Sequence, residues 1–300
     1  MDRALRAAVA WGLFPAFTIG TAAIAIWATA PDAPRTPAID GAVYVAFLIV
    51  TYALIAGLER AFPHRAEWGR AHGDVRTDVT HLVVTGTAAS QLGLAVAGGL
   101  AVVCSPWLAN RLGTGLWPSA LPIAAQLFLA VLIAEFGHYW FHRVTHERAW
   151  AWRLHAVHHS APRLYWLNAT RFHPLDLAAL VACQTLPLFL LGIPPRVFLL
   201  YSIFSSCYGQ LQHCNVDLRS GVASWLFSTP ELHRWHHSTD PREGNANYGA
   251  ILITWDLVFG TFFRPRDRGF AGPVGIAGMP RFPTTWTGQL LAPFRWTAVR

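Results

Sequence analysis

Long apolar runs constrain the fold of this chain more than any other feature. Four of them are long enough to cross the roughly 30 Å hydrocarbon core of a bilayer as helices, which takes about 20 residues. They cover residues 7–30, 41–58 and 79–104, and a fourth that starts near residue 121 and leads into His142. Because 53% of the residues are hydrophobic and only 13% are charged, the composition lies outside that of ordinary soluble proteins. We predict an all-α integral membrane protein with about four transmembrane helices.

A further apolar block follows, over residues 175–192 and 197–212, and it is interrupted by Pro194 and Pro195. It predicts a helical hairpin that either spans the membrane as a pair of helices or enters one leaflet and returns. Both arrangements bring the chain back to the side from which it entered.

The arginines predict the orientation. All 23 basic residues are arginine, which gives the net charge of +7. Arg3, Arg6, the arginines of residues 60–76 and the chain after Arg143 fall on one side of a four-helix topology, while each loop on the other side carries one arginine. Basic loops mark the cytoplasmic side, so we predict a multi-pass protein with a histidine-rich cap facing the cytoplasm. No nucleic-acid-binding motif accompanies the charge, and we expect no nucleic-acid partner.

Three histidine clusters predict a metal site. Eleven of the 14 histidines lie between residues 138 and 237, and eight of them have the spacings H-x-x-x-H, H-x-x-H-H and H-x-x-H-H. Positions three and four apart share a face of a helix, so the rings of each cluster are expected to converge. Eight imidazoles exceed the needs of one ion and suit a pair of ions. The eight are His142, His146, His155, His158, His159, His233, His236 and His237.

The order of these clusters resembles the membrane fatty acid hydroxylase and sterol desaturase superfamily. The surrounding segments 139–143, 152–155, 168–174 and 255–261 are similar to it as well. The resemblance covers roughly residues 120–265 and is nearest to the alkylglycerol monooxygenase branch.

This resemblance implies an O₂-dependent enzyme that hydroxylates an unactivated C–H bond of a membrane lipid of the fatty acyl, alkyl ether, sterol or isoprenoid type. It implies two iron ions held by the eight clustered histidines and by His213, which follows the apolar hairpin. Electrons must come from a separate donor, either a reductase or a reduced pterin. The chain itself contains no G-x-G-x-x-G motif and no fused haem or iron–sulfur module.

Four further residues are candidates for orienting the metal ligands. His138 lies one helical turn before His142, and it either supports the site or is a packed helix histidine. Glu147 either accepts a bond from a ligand or is a solvated charge. Asp256, in an aromatic segment, is expected to be buried and paired, and His173 is expected to be structural or to support a ligand.

We divide the chain into N-terminal membrane helices (1–120), a catalytic region that includes the hairpin (121–265) and a proline-rich C-terminal tail (266–300). Three other functions remain compatible with the pattern. A lipid or sterol desaturase could use the same site, a membrane metal transporter or metal-binding protein could use the same histidines, and imidazole ligands also suit a zinc hydrolase.

Overall fold

The computed structural model describes residues 3–30 and 35–299, and these residues form helices and loops without a β-strand. Residues 31–34 of the proline-containing loop after the first apolar run lie outside this range. Four helical segments among the described residues are long and apolar enough to cross a membrane, as predicted. Helix α1 is Arg3–Ala28, α2 is Pro37–Ala61, the third segment is Val75–Leu112, and α5 is Ile123–Glu147.

The third segment is one continuous helix of three parts, α3 (Val75–Thr80), a π-helical turn (His81–Thr85) and α4 (Gly86–Leu112). Its 38 residues would span about 57 Å at 1.5 Å per residue, more than a bilayer core requires. The C-terminal part of the chain packs along its first turns, where His81 Nε2 lies 2.8 Å from Gln289 Oε1. This helix therefore links the membrane region to the cap.

Helix α5 is the centre of the bundle. In its most apolar stretch 44% of the residues are buried, against 11–28% in the other three membrane segments. It leads almost directly into α6 (Ala149–His159). The predicted hairpin is formed by α7 (Pro174–Leu190), which packs against α4 and α5, and α8 (Pro195–Gln212), which packs against α1, α2 and α5.

Two glycines allow α7 to lie directly on the membrane helices. A Cβ atom on Gly93 of α4 would lie 2.5 Å from the carbonyl oxygen of Ala178, and one on Gly137 of α5 would overlap the carbonyl oxygen of Cys183. Because no larger residue fits either position, the hairpin backbone is held in a fixed place beside the end of α5 that carries the histidines.

Short helices and turns build the cap. Proline at the first helical position and a capping side chain fix several helix starts, as in α9, where Thr229 accepts from the Leu232 amide. The cap helices are α9 (Pro230–His236), α10 (Pro241–Gly244), α11 (Thr254–Phe259), α12 (Trp286–Leu291) and α13 (Trp296–Val299). The 3₁₀ turns are Ala66–Gly69, Trp166–Thr170, Gly221–Trp225 and Ala292–Arg295.

Two buried ion pairs tie the loop after α6 to the start of α3. Arg163 Nε lies 2.8 Å from Asp74 Oδ2, and Arg171 Nε lies 2.6 Å from Asp78 Oδ1. All four side chains are buried. Removing one partner of a buried pair leaves an uncompensated charge at a cost of about 3–5 kcal/mol, so these pairs hold the loop in one position.

Candidate metal centre

Nine histidines lie in two adjacent groups, and within each group the nitrogen atoms available for binding a metal lie within 4.8 Å of one another. They are the nine that the sequence singled out. The first group is His142, His146, His155, His159 and His236. The second group is His158, His213, His233 and His237.

The histidines of one cluster do not all converge, which corrects the expectation from their spacing. In α6, His155 and His159 belong to the first group while His158 belongs to the second. In α9 and its C-cap, His236 belongs to the first group and His233 and His237 belong to the second. Positions four apart differ by only about 40° around a helix and stay in one group, whereas adjacent positions differ by about 100° and fall in different groups. Each short helix thus contributes to both groups.

Backbone carbonyls orient two rings of the first group. His142 Nδ1 lies 2.7 Å from the carbonyl oxygen of Tyr248, and His236 Nδ1 lies 2.8 Å from that of Ala246. A carbonyl oxygen can only accept, so each Nδ1 donates and carries the proton. The lone pair of each ring is consequently on Nε2, the atom that faces the group.

Side chains orient two further rings. His155 Nδ1 lies 2.9 Å from Asp176 Oδ2, and both residues are buried. His146 Nδ1 lies 3.1 Å from Asn245 Oδ1. A carboxylate or amide oxygen behind a ligand imidazole fixes its tautomer and its direction, the arrangement found behind metal-ligating histidines.

The inward-facing nitrogens of the first group have no hydrogen-bond partner among the described residues. A buried polar atom without a partner costs about 1–3 kcal/mol, so five together require something in the space between them. A cation that accepts their lone pairs fits that requirement. The atoms are the Nε2 atoms of His142, His146, His155, His159 and His236.

The second group fits a cation for a related reason. His213 Nδ1 lies 3.0 Å from Asn168 Oδ1, so its Nε2 holds a lone pair. His233 Nε2 lies 2.8 Å from this atom and 3.0 Å from His237 Nε2. One N–H on His233 cannot be directed at both neighbours, whereas one cation can accept a lone pair from all three rings.

Burial keeps the cap histidines neutral. It lowers the pKa of His155, His159 and His236 well below the usual histidine value, and charge on neighbouring imidazoles adds to this effect. Burial, with a smaller contribution from Arg171, lowers the pKa of His213 to about 3. The neutral imidazole is the form that binds metal ions.

Two of the predicted supporting residues lie apart from the groups. Glu147 pairs with Arg143 at 2.7 Å, and its side chain is 45% exposed, which matches the solvated-charge alternative. His173 accepts a bond from the Leu175 amide at the start of α7. Its role in these contacts is structural, because it caps a helix.

The other two predicted supporting residues adjoin the first group. The ring of His138 lies 5.2 Å from that of His142, and its Nδ1 lies 2.8 Å from Gln184 Nε2. Asp256 accepts bonds from the amides of Tyr248 and Gly249, each at 2.8 Å. Burial raises the pKa of Asp256 to about 6 although these bonds lower it. Asp256 fixes the segment whose carbonyl orients His142.

Several residues that orient the histidines were not predicted from the sequence. Asp176 had a signal, because it is the sole acid in the apolar hairpin sequence. Asn168 and Asn245 are polar residues in mixed loops and had only a weak signal. The carbonyls of Tyr248 and Ala246 had none, because every residue has a carbonyl group.

A cavity of about 430 Å³ adjoins the histidines and extends between α2, α4, α5, α7 and α8. Its walls include Leu48 and Leu94 from membrane helices and Phe198 from α8. At its other end lie Phe172 and His158, whose rings stack with centroids 4.1 Å apart. A mainly apolar molecule could therefore lie in this cavity beside the histidines.

The sequence is similar to that of several known proteins. The sequence model of the fatty acid hydroxylase family matches residues 127–261. The chain is 40% identical over 247 residues to the ornithine lipid hydroxylase OlsE of Rhizobium tropici, which covers 81% of this chain and 73% of that protein. It is 35% identical over 136 residues to human alkylglycerol monooxygenase, covering 45% of this chain and 30% of that protein. It is 24% identical over 156 residues to methylsterol monooxygenase 2-2 of Arabidopsis thaliana, covering 51% and 56% of the two proteins. No solved structure matches the chain.

Proposed function

Because the chain belongs to the fatty acid hydroxylase family, we propose that it is a membrane oxygenase that hydroxylates an unactivated C–H bond of a lipid with O₂. The relatives are hydroxylases and monooxygenases, and the chain is accordingly an oxidoreductase. Its substrate is a membrane lipid, and the ornithine lipid hydroxylase relative makes an ornithine lipid the first candidate to test.

One observation carries the proposal. Two groups of histidines each bring their metal-binding nitrogens within 4.8 Å of one another, and several of these histidines line a cavity that extends among the membrane helices. An imidazole-only donor set suits iron as well as zinc, and nine nitrogens shared by two ions leave coordination positions open. We assign the nine histidines as ligands of two iron ions, and residues 121–265 as the catalytic region.

When bound, the iron ions supply the reduction of O₂ and the oxidation of the C–H bond. The residues of the chain orient the metal ligands and enclose the lipid. Asp176, Asn245 and the carbonyls behind the rings hold the imidazoles in the metal-binding tautomer. The apolar cavity walls exclude water and orient the lipid so that one carbon lies beside the histidines.

The electron donor is a separate molecule in this proposal, either a reductase or a reduced pterin. The arginine distribution supports a cytoplasmic position for the cap, where such donors are found. The four apolar helices support a multi-pass membrane location. The N-terminal helices (1–120) would then form the outer wall of the cavity, and residues 266–300 would close the cap.

Lipid mass spectrometry of cells with and without the chain tests the function. We expect a lipid that gains one oxygen atom when the chain is present. A loss of two hydrogen atoms instead would identify a desaturase. Transport of zinc by proteoliposomes without lipid oxidation would identify a transporter.

His236→Ala should abolish the oxidised product and lower the iron content of the purified protein. His72→Ala is the matched control, because His72 is exposed and lies outside both groups. Full turnover by the His236 variant would contradict the assignment of the ligands.

A further inference from the structure

One buried amide in the cavity has no partner. Gln210 of α8 is 5% exposed, and its Oε1 has no hydrogen-bond partner among the described residues. No hydrogen bond within the described part of the chain reaches its Nε2 either. Leaving a buried amide unpaired costs about 1–3 kcal/mol, so this side chain is poised for a partner that is not part of the protein.

A second glutamine on the same helix, Gln212, has an amide that is hydrogen-bonded within the protein. Gln212 is also 5% exposed, but its Nε2 lies 2.8 Å from Ser228 Oγ and 3.3 Å from the carbonyl oxygen of Gly249. Ser202, another polar residue of the cavity, is also bonded, because its Oγ donates to the carbonyl oxygen of Phe198. Gln210 differs from these neighbours in having its amide free inside the cavity.

Gln210 belongs to a polar band that leads to the metal centre. Ser206, Gln210 and His213 are spaced i, i+4 and i+7 and so lie on one face of α8 and its C-cap. At the far end of the band, Ser206 Oγ lies 2.9 Å from Tyr44 Oη. Seven residues of helix rise by about 10 Å, so the whole band lies within that distance of a candidate metal ligand.

This band does not suit a bare hydrocarbon chain. A methylene group beside Gln210 would leave the amide oxygen unpaired, whereas an N–H group would satisfy it. A secondary amide is a suitable complement, because its N–H can donate to the Oε1 of Gln210. The rest of the cavity is mainly apolar and suits the hydrocarbon chain attached to the amide.

We propose that Gln210 binds an amide N–H of the lipid substrate and thereby places the reacting carbon close to that amide. The inference rests on the proposed lipid hydroxylation and adds a specificity-determining residue and a substrate class, an amide-linked lipid. The reacting carbon is then close to the polar part of the lipid, because Gln210 is one helical turn from His213.

A pair of lipids that differ at one atom tests the proposal. An N-hexadecanoyl amino acid and the O-hexadecanoyl ester of the corresponding hydroxy acid differ by an N–H against an oxygen. We expect the iron-loaded wild type to oxidise the amide about tenfold more efficiently in kcat/KM, the contribution of one hydrogen bond to a buried amide. Gln210→Leu should reduce this preference to less than about threefold. Thr185→Val should keep it, because the Thr185 hydroxyl already donates to the Val181 carbonyl.

Binding without turnover separates this inference from the proposed function. The wild type as purified, in nanodiscs without O₂ or an electron donor, should bind the amide about tenfold more tightly than the ester, measured by displacement of a fluorescent fatty acid, and Gln210→Leu should remove the difference. If neither lipid is oxidised but the binding difference is present, the proposed reaction fails and the inference stands. Equal binding of both lipids by the wild type, or an unchanged preference in Gln210→Leu, would overturn the inference.

Discussion

Replacing Asp176 should weaken metal binding at one histidine group and spare the other. Its Oδ2 accepts the Nδ1 proton of His155 at 2.9 Å, and the side chains of the pair are 1% and 3% exposed. In Asp176→Ala this buried N–H has no partner and the ring is free to turn or to change tautomer. His155 belongs to the first group, and no residue of the second group is bonded to Asp176.

The size of the effect follows from the role of the carboxylate. Removing a hydrogen-bond partner behind a ligand histidine lowers metal affinity by about 10- to 100-fold, which is about 1.4–2.7 kcal/mol. Asp176→Asn should lie between wild type and Asp176→Ala, because its amide oxygen still accepts the Nδ1 proton but carries no charge to balance the metal. Asp267→Ala, which removes an exposed carboxylate, is the control.

The assay is a chelator titration of iron-loaded protein, with the iron retained per chain measured by elemental analysis. We expect Asp176→Ala to lose one iron at a 10- to 100-fold lower chelator concentration than wild type and the second iron at the wild-type concentration. Retention of both irons at the wild-type concentration would refute the role of Asp176. Loss of both irons together would refute the division into two separately held ions.

Two further predictions concern stability. Gly137→Ala should lower the free energy of unfolding by about 1–3 kcal/mol or more, because the new methyl group would overlap the Cys183 carbonyl. Gly98→Ala in α4 is the control, because its methyl group meets nothing within 4 Å. Equal thermal unfolding of the two variants in detergent would contradict the close packing of α5 against α7. Burial, with a smaller contribution from the charge of Arg234, lowers the pKa of His64 from 6.5 to about 3. The folded protein therefore binds fewer protons than the unfolded chain between these values, so the melting temperature should fall as the pH falls from about 6.5 towards 3, and His64→Gln should flatten this part of the profile.

The sequence was sufficient to predict the membrane helices and to identify the histidines that lie together in the structure. Apolar runs locate the helices because the bilayer requires a minimum length, and the four predicted starts lie within four residues of those observed. The histidines could be singled out because eight of them have helical spacings that few other sites require. The hairpin was equally visible, because Pro194 and Pro195 interrupt its apolar run.

The division of the histidines into two groups could not be predicted. Whether His158 joins His155 depends on which side of α6 each neighbouring helix lies, and this is a tertiary relationship. The absence of a hydrogen-bond partner for Gln210 could not be predicted either, because it also depends on tertiary structure. Only the positions of Ser228 and Gly249 reveal that Gln212 is bonded and Gln210 is not.

Helix α6 and helix α9 with its C-cap each contribute histidines to both groups, and this affects the order in which the protein matures. Among the elements that carry the histidines, the ribosome produces α5 and α6 first, then the hairpin, and then α9. The first group needs His236 and the second needs His233 and His237, so neither group is complete before the C-terminal third of the chain emerges. An ion captured earlier would be held by a partial set of ligands and would exchange easily. If the histidines bind iron as proposed, we expect metal loading to be a late step of maturation, after the membrane helices have been inserted.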